Sequence, residues 1–259
     1  MEIISIPISI FISLMALIIL IIPFIYYALG NKRNDIADVM WGLSFIVIAW
    51  TNYLVHSNQT KLALTINILV TIWGLRLSYH IFKRFIRNKI EDRRYEDMRK
   101  TWKNDQNVAT FTNVFLLQAF LAVLVSLPVI IVNTYHSGVN NIAYAGVLIW
   151  IFGFLFESRA DMQLKKFIMN PSNKGKIMTK GLFKYTRHPN YFGEVLQWWG
   201  IAFMALYVSY GWIGILGAVS ITFLITKVSG IPLAEKGTSK KPGWEEYKKK
   251  TPALLPKFW

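Results

Sequence analysis

Apolar positions in this chain form runs that are long enough to cross a lipid bilayer. A helix needs about 20 apolar residues to span roughly 30 Å of hydrocarbon. Seven predicted spans cover residues 3–29, 36–56, 62–82, 108–132, 142–160, 191–209 and 212–229. The first run follows an acidic residue and is longer than a signal-peptide core, so we predict that it is a retained helix. The pattern predicts an all-α, polytopic membrane protein with one membrane domain over residues 1–259.

The polar connections differ sharply in charge. Segments 83–107, 159–190 and 227–259 hold nine, eight and eight Lys and Arg residues, whereas connections 133–141 and 210–211 hold none. Cytoplasmic loops retain positive charge, so the basic segments are predicted to be cytoplasmic, with the N-terminus outside and the C-terminus inside. The net charge of +15 then reflects topology and attraction to anionic lipid headgroups rather than binding to nucleic acid. Membrane lipids are the expected partners.

Three cytoplasmic segments have local structural signals. Residues 83–100 mix charges at helical spacing, which predicts that the third helix extends beyond the membrane. Residues 171–181 contain one proline and two glycines and are typical of a loop. Near the C-terminus, a Pro-Gly pair introduces a predicted short helix over Trp244–Lys250, which Pro252 ends.

Candidate chemistry is densest in Gly181–Gly200, with the sequence GLFKYTRHPNYFGEVLQWWG. Pro189 is predicted to begin the sixth helix, because its missing N–H costs nothing there. Asn190, Glu194 and Gln197 then lie on one face at i, i+4 and i+7. A carboxylate and two amides at the mouth of a membrane helix are costly unless they bind something polar. This stripe therefore indicates a binding or catalytic site.

Cationic residues come directly before the stripe. Lys184, Arg187 and His188 supply positive charge where a phosphate could lie. The alternative is an interfacial anchor, in which basic residues meet lipid headgroups. That alternative does not account for Glu194.

Two further helices carry polar candidates. Glu157 and Asp161 share a face near the cytoplasmic end of the fifth helix and could hydrogen-bond a cofactor's ribose or amide groups. They could equally pair with nearby arginines. In the third helix, Arg76 is at hydrocarbon depth and needs a partner. A structural Asp38–Arg76 pair is the favoured interpretation, while Tyr79 and His80 remain candidate proton donors and Gln118 is a lone amide in the fourth helix.

The sequence lacks the signatures of soluble cofactor sites. It has no cysteine, so thiol catalysis and cysteine-ligated metals are excluded. It also contains no GxGxxG, P-loop or HExxH motif, nor any pair of histidines at metal-binding spacing. We therefore expect no metal, and any nucleotide cofactor must be held by membrane helices and basic loops.

Seven motifs occur in an order that is found in a known superfamily. They are DVMWGLSF at Asp38–Phe45, WGLRLSYHIFKR at Trp73–Arg84, EDRRY at Glu91–Tyr95, FLLQ ending at Gln118, FESRADMQLKKF at Phe156–Phe167, the stretch Gly181–Gly200 and EEYKKKTPALLP at Glu245–Pro256. Over about residues 35–256 the chain resembles the steroid 5α-reductase superfamily, in particular its bacterial branch.

The resemblance implies a seven-helix bundle that uses NADPH to reduce a carbon–carbon double bond conjugated to a ketone. The substrate would be lipophilic, either steroid-like or isoprenoid. By motif, Asn190 and Glu194 would meet the nicotinamide carboxamide. The other implied cofactor-binding residues are Tyr191, Arg187, His188, Glu157, Asp161, Gln118, Arg84, Arg93, Arg94, Tyr95, Lys176 and Tyr247.

The catalytic acid departs from the superfamily pattern. Steroid reductases use a glutamate–tyrosine pair on the second and third helices, and this chain offers Asp38, Tyr79 and His80 instead. With Glu194, these are the catalytic candidates. The Ile-, Lys- and Asn-rich composition favours a bacterial inner membrane.

Two other classes of function remain open. One is an S-adenosylmethionine-dependent methyltransferase of the isoprenylcysteine carboxyl type, which shares the RHPxY turn and a Glu-rich C-terminal segment. The other is a non-enzymatic lipid-binding or scaffold protein, which would leave the buried carboxylates without a role.

Overall fold

The computed structural model describes residues 5–56, 60–103, 105–135 and 141–257, and in these ranges it contains helices and turns but no strand. The helices are α1 (Ser5–Asn31), α2 (Ala37–Val55), α3 (Lys61–Arg87), α4 (Arg93–Lys100), α5 (Gln106–Thr110), α6 (Leu117–Val125), α7 (Leu127–Thr134), α8 (Asn141–Met169), α9 (Pro189–Ala205), α10 (Gly214–Phe223), α11 (Ile231–Thr238) and α12 (Trp244–Lys250). Two π-helical segments, Phe111–Leu116 and Leu224–Val228, lie between α5 and α6 and after α10.

Six helical stretches in the described part of the chain are long and apolar enough to cross a membrane. They are Ser5–Asn31, Asn34–Val55, Lys61–Arg87, Gln106–Val125, Ala143–Met169 and Gly211–Thr238. The protein is therefore an all-helical, multi-pass membrane protein. The sequence predicts seven spans, and the difference is α9, which has only 17 residues.

The chain packs as two compact units. The first comprises Met1–Val139 and Ala205–Gly214, and the second comprises Asn140–Met204 and Ile215–Trp259. Both units are discontinuous in sequence. Each is described separately below.

In the first unit, α2 and α3 are in backbone contact through Gly42 and Gly74. A Cβ atom on either glycine would lie 2.6 Å from the carbonyl oxygen of the other. Next to this contact, the Ser78 hydroxyl donates to the Val39 carbonyl at 2.9 Å. Membrane helices associate through small residues and interhelical hydrogen bonds, because apolar burial gives little net attraction in lipid.

In the second unit, α8 and α9 pack through two glycines on each helix. Cβ atoms placed on Gly153 and Gly193 would lie 2.6 Å from each other's carbonyl oxygens, and Gly146 and Gly200 face each other in the same way. On each helix the two glycines, Gly146 and Gly153 on α8 and Gly193 and Gly200 on α9, are seven residues apart, about two helical turns. The two helix backbones therefore touch over at least that length, and this contact sets the depth at which their polar residues meet.

Several predicted local features are confirmed. Pro189 begins α9, and α12 has the predicted bounds. The segment 171–181 is mostly irregular and contains Gly175 and Gly181 with φ of +79° and +62°, values that favour glycine.

The predicted extension of the third helix through residue 100 is wrong beyond Arg87. The chain is extended at Asn88, and α4 then starts as a separate helix. Asp92 caps α4, since its Oδ1 accepts the Arg94 N–H at 3.0 Å. An N-cap requires non-helical backbone, so this cap competes with continuation of α3.

Candidate functional site

A backbone ladder shapes the turn that precedes α9. The Arg187 N–H donates to the Pro252 carbonyl at 2.9 Å, and the Lys257 N–H donates to the Tyr185 carbonyl at 2.9 Å. The Thr186 hydroxyl lies 3.0 Å from the Ala253 carbonyl. Residues 185–188 and the tail segment 252–257 therefore hold each other in a fixed conformation.

The Arg187 side chain reinforces this ladder. Its Nε donates to Glu235 Oε1 at 2.8 Å, and Nη1 donates to the Thr251 carbonyl at 2.6 Å and to the Lys248 carbonyl at 3.2 Å. The guanidinium and the Glu235 carboxylate are only 9% and 16% exposed. Because this arginine is shielded from solvent and makes several hydrogen bonds, it holds the turn in place more strongly than a surface ion pair would.

His188 shares the same carboxylate. Its Nε2 lies 3.0 Å from Glu235 Oε1, and its ring stacks on Tyr191 with centroids 5.3 Å apart. Burial lowers the pKa of His188, the carboxylate of Glu235 opposes that shift, and the charge of Arg187 adds to it. A neutral ring at pH 7 can donate its Nε2–H to Glu235, which orients the imidazole at the start of α9.

A cavity of about 270 Å³ opens beside this turn. Six residues that the sequence predicts to bind cofactor line it: Lys176, Arg187, His188, Asn190, Tyr191 and Tyr247. Glu235, Lys241 and Trp244 also line it. The Tyr247 hydroxyl donates to the Phe183 carbonyl at 2.6 Å, and burial raises the pKa of Tyr247, so this phenol is neutral.

A second polar contact joins α8 to α9. Gln197 Nε2 donates to Glu157 Oε2 at 2.6 Å and to the Gly193 carbonyl at 3.2 Å. Both side chains are almost fully buried, at 3% exposure for Glu157 and 1% for Gln197. Glu157, Asp161 and Glu194 are not among the residues that line the cavity.

The first unit contains its own cluster of predicted site residues. Tyr95 donates its hydroxyl to Asp38 Oδ1 at 2.6 Å, and Arg94 Nη2 lies 2.7 Å from Asp38 Oδ2. Arg84 Nη2 lies 3.5 Å from the same oxygen, and Gln118 Nε2 donates to the Tyr95 hydroxyl at 3.3 Å. The predicted Asp38–Arg76 pair is wrong, because α4 brings Arg94 and Tyr95 to the carboxylate.

The environment of this cluster keeps Tyr95 protonated and Arg94 charged. Burial raises the pKa of Tyr95, and the neighbouring Asp38 carboxylate raises it further. For Arg94, burial lowers the pKa, but Asp38 and Asp92 outweigh that effect and the net shift is upward.

Three predicted residues lie apart from the Asp38 cluster. Tyr79 is 59% exposed on α3, with Lys83 Nζ 4.3 Å from its ring centroid. His80 and Arg93 are also exposed. The structure thus groups Asp38, Arg84, Arg94, Tyr95 and Gln118 but leaves these three outside.

Replacing Tyr95 by phenylalanine should destabilise the first unit. The change removes the hydroxyl that binds Asp38 and Gln118, so we expect a loss of about 1–3 kcal/mol, as for other hydrogen bonds to charged groups. Thermal unfolding in detergent measures it, with Tyr79→Phe as the matched control at an exposed tyrosine. Equal unfolding temperatures for the two variants would refute the importance of the Tyr95–Asp38 bond.

Sequence reasoning overlooked the residues that hold the second unit's site together. No sequence motif indicates what Glu235 binds, and Gly153 and Gly193 are not among the predicted site residues. The seven-residue spacing of glycines in two apolar helices was a usable signal for close packing. Glu235 lies 47 residues from His188, and no local pattern indicates that contact.

Fold and site together define a multi-pass, all-helical membrane protein with a polar, partly cationic cavity at the start of α9. The chain belongs to the family described as protein of unknown function (DUF1295), whose model matches residues 24–251.

Three curated relatives match a shorter segment. Steroid 5-alpha-reductase DET2 of Gossypium hirsutum is 37% identical over 70 residues, 27% of this chain and 26% of the relative. 3-oxo-5-alpha-steroid 4-dehydrogenase 1 of Bos taurus is 38% identical over 68 residues, 26% of each chain. Probable O-methyltransferase ustE of Ustilaginoidea virens is 38% identical over 72 residues, 28% of this chain and 25% of the relative. The chain thus spans about a quarter of each relative's length, and no solved structure matches it. The predicted resemblance to the steroid 5α-reductase superfamily is confirmed.

Proposed function

We propose that this protein is a membrane oxidoreductase that uses NADPH to reduce a carbon–carbon double bond conjugated to a ketone. The substrate class is a lipophilic enone, steroid-like or isoprenoid. The observation that supports this best is the cavity at the start of α9, whose wall includes six residues predicted to bind the cofactor. The similarity to two steroid reductases supports the same reaction class.

The residues around the cavity suit one end of a dinucleotide. Its volume of about 270 Å³ is just below the usual range for small-molecule sites, roughly 300–1,000 Å³, so it would enclose part of the cofactor. Asn190 offers an amide that can pair with a carboxamide, and Tyr191 and Trp244 offer aromatic surface. NADPH, when bound, supplies the hydride for the β-carbon of the enone.

The cationic residues that line the cavity differ in the partners that they already bind, so we propose different roles for them. Arg187 already binds Glu235 and two backbone carbonyls, so its task is to hold the turn rather than to bind a phosphate. Lys176 and Lys241 also line the cavity, and Lys241 Nζ lies 3.2 Å from the Lys176 carbonyl. We assign phosphate binding to these two lysines, because ammonium groups can reorient toward an anion.

The proton donor is proposed among the sequence candidates Asp38, Tyr79, His80 and Glu194. A donor aimed at the ketone oxygen would stabilise enolate charge, which typically lowers a barrier by several kcal/mol.

For topology we propose seven spans with α9 as the sixth, the N-terminus outside and the C-terminus in the cytoplasm of a bacterial inner membrane. This arrangement would let a lipophilic substrate enter from the bilayer.

A methyltransferase that uses S-adenosylmethionine is the second candidate. The similarity to the O-methyltransferase of Ustilaginoidea virens favours it, as does the binding of Arg187 and His188 by a glutamate from the C-terminal region. In this case S-adenosylmethionine would occupy the same cavity.

Thermal unfolding of the purified protein with NADPH, NADH or S-adenosylmethionine distinguishes the two candidates. A ligand at 100 times its Kd that binds only the folded state adds about 2.7 kcal/mol. We expect this stabilisation with NADPH. Stabilisation by S-adenosylmethionine without any effect of NADPH would exclude the reductase proposal.

Variants at the start of α9 test the proposed cofactor contacts. Asn190→Ala and Glu194→Gln should each abolish the stabilisation by NADPH, because they remove the groups proposed to meet the carboxamide. Lys61→Ala, an exposed residue at the start of α3, should retain it. If Asn190→Ala responds to NADPH as the unchanged protein does, Asn190 does not bind the cofactor.

A further inference from the structure

A second, larger cavity of about 580 Å³ lies in the second unit. Its wall is formed by the 3₁₀ turn before α9, by α12 and by the tail that follows α12. The side chains that matter for its chemistry are Lys184, Lys250, Lys257, Thr179 and Tyr185. Of the predicted cofactor residues, only Tyr247 lines both cavities.

The charge of this cavity is strongly positive. Three lysines face one carboxylate, Glu246, which pairs with Lys250 at 2.7 Å. Within the described residues, Lys184 and Lys257 make no ion pair with a carboxylate. Two ammonium groups thus remain available to an anion, and the hydroxyl of Thr179 adds a neutral donor.

Hydrogen bonds within the chain fix the walls of the cavity. The Lys257 N–H donates to the Tyr185 carbonyl at 2.9 Å, and the Tyr247 hydroxyl donates to the Phe183 carbonyl at 2.6 Å. These bonds join the tail and α12 to the segment that carries Lys184. Lysines mounted on such a framework lose little backbone entropy when a ligand binds.

The cavity lies next to the start of an apolar helix, where a membrane surface is expected. Lys184 ends the 3₁₀ turn five residues before Pro189, the first residue of α9. Basic residues at this position lie where anionic headgroups concentrate. We propose that this cavity binds a phosphate group, carried either by an anionic lipid headgroup or by a small soluble phosphate. It is a site separate from the proposed cofactor cavity.

The test is a titration of the full-length protein in detergent, without NADPH, so that it does not depend on the proposed reductase activity. The probes are short-chain phosphatidic acid, diacylglycerol with the same chains, and inorganic phosphate. Fluorescence of the protein or its unfolding temperature reports binding. The Lys184→Gln/Lys257→Gln variant should bind phosphatidic acid about tenfold or more weakly, because two charges near the phosphate are lost.

Two control variants separate charge from folding. Lys165→Gln/Lys166→Gln removes two exposed lysines of α8 and should bind as the unchanged protein does, whereas Lys184→Arg/Lys257→Arg keeps the charge and should retain binding. Binding of phosphatidic acid alone identifies a lipid as the source of the phosphate, and binding of inorganic phosphate as well identifies a site for the free group. The proposal is overturned if neither phosphate probe binds, if diacylglycerol binds equally well, or if the two glutamine variants behave alike.

Discussion

Gly193→Ala should separate α8 from α9 and destabilise the second unit by about 2–4 kcal/mol, because it adds overpacking to the loss of a buried hydrogen bond. The added Cβ would lie 2.6 Å from the Glu157 backbone nitrogen and from the Gly153 carbonyl oxygen. Both neighbours are backbone atoms in helices, so no side-chain rotation can relieve the clash. The helices must move apart, which stretches the Gln197–Glu157 contact at 2.6 Å.

Thermal unfolding in detergent, followed by far-UV circular dichroism, measures this loss. Gly237→Ala is the matched control, because a Cβ on that helical glycine meets nothing within 4 Å. The control should be neutral or more stable by up to about 1 kcal/mol, the difference in helix propensity. If both variants unfold alike, the backbones of α8 and α9 are not in contact at Gly193.

Arg187→Met should have the second large effect, a loss of about 3–5 kcal/mol, as is usual when one partner of a shielded ion pair is removed. The methionine keeps much of the side-chain volume but leaves Glu235 paired with His188 alone among the described residues, and it frees the carbonyls of Lys248 and Thr251. Since the bonds from the Arg187 side chain help to hold residues 185–188 against the end of α12, ligand binding in the adjacent cavity should be lost as well.

A double variant separates charge from packing at this position. Arg187→Met/Glu235→Leu removes both charges and should recover part of the stability, but not the binding of ligand. Lys250→Gln breaks an exposed ion pair with Glu246 and should change stability little. Full retention of stability and ligand binding in Arg187→Met would show that the ion pair does not organise the turn.

Local chemistry explains why parts of the fold could be predicted from the sequence. Pro189 begins α9 because a proline ring suits the first helical turn, and Pro252 follows α12 because proline cannot continue it. The positions of the six helical stretches that are long and apolar enough to cross a membrane follow from the lengths of the apolar runs. Four of the six predicted residues that line the cavity, Arg187, His188, Asn190 and Tyr191, are close together in sequence, so a single motif located them.

Contacts between distant segments could not be predicted in this way. The predicted Asp38–Arg76 pair rests on similar helical depth, and depth alone does not account for cations carried by another helix. The break after Arg87 instead gives a capped helix, α4, and this helix supplies Arg94 and Tyr95. Likewise, nothing in the short helix around Glu235 indicates that it binds residues almost 50 positions earlier.

The short segment after α12 has a practical consequence for protein engineering. The carbonyls of Pro252, Ala253 and Leu254 and the N–H of Lys257 are bound to residues 185–188, so a fluorescent reporter or purification tag inserted within this segment should weaken the bonds that shape the cavity. A flexible spacer placed beyond Lys257 would leave these bonds intact.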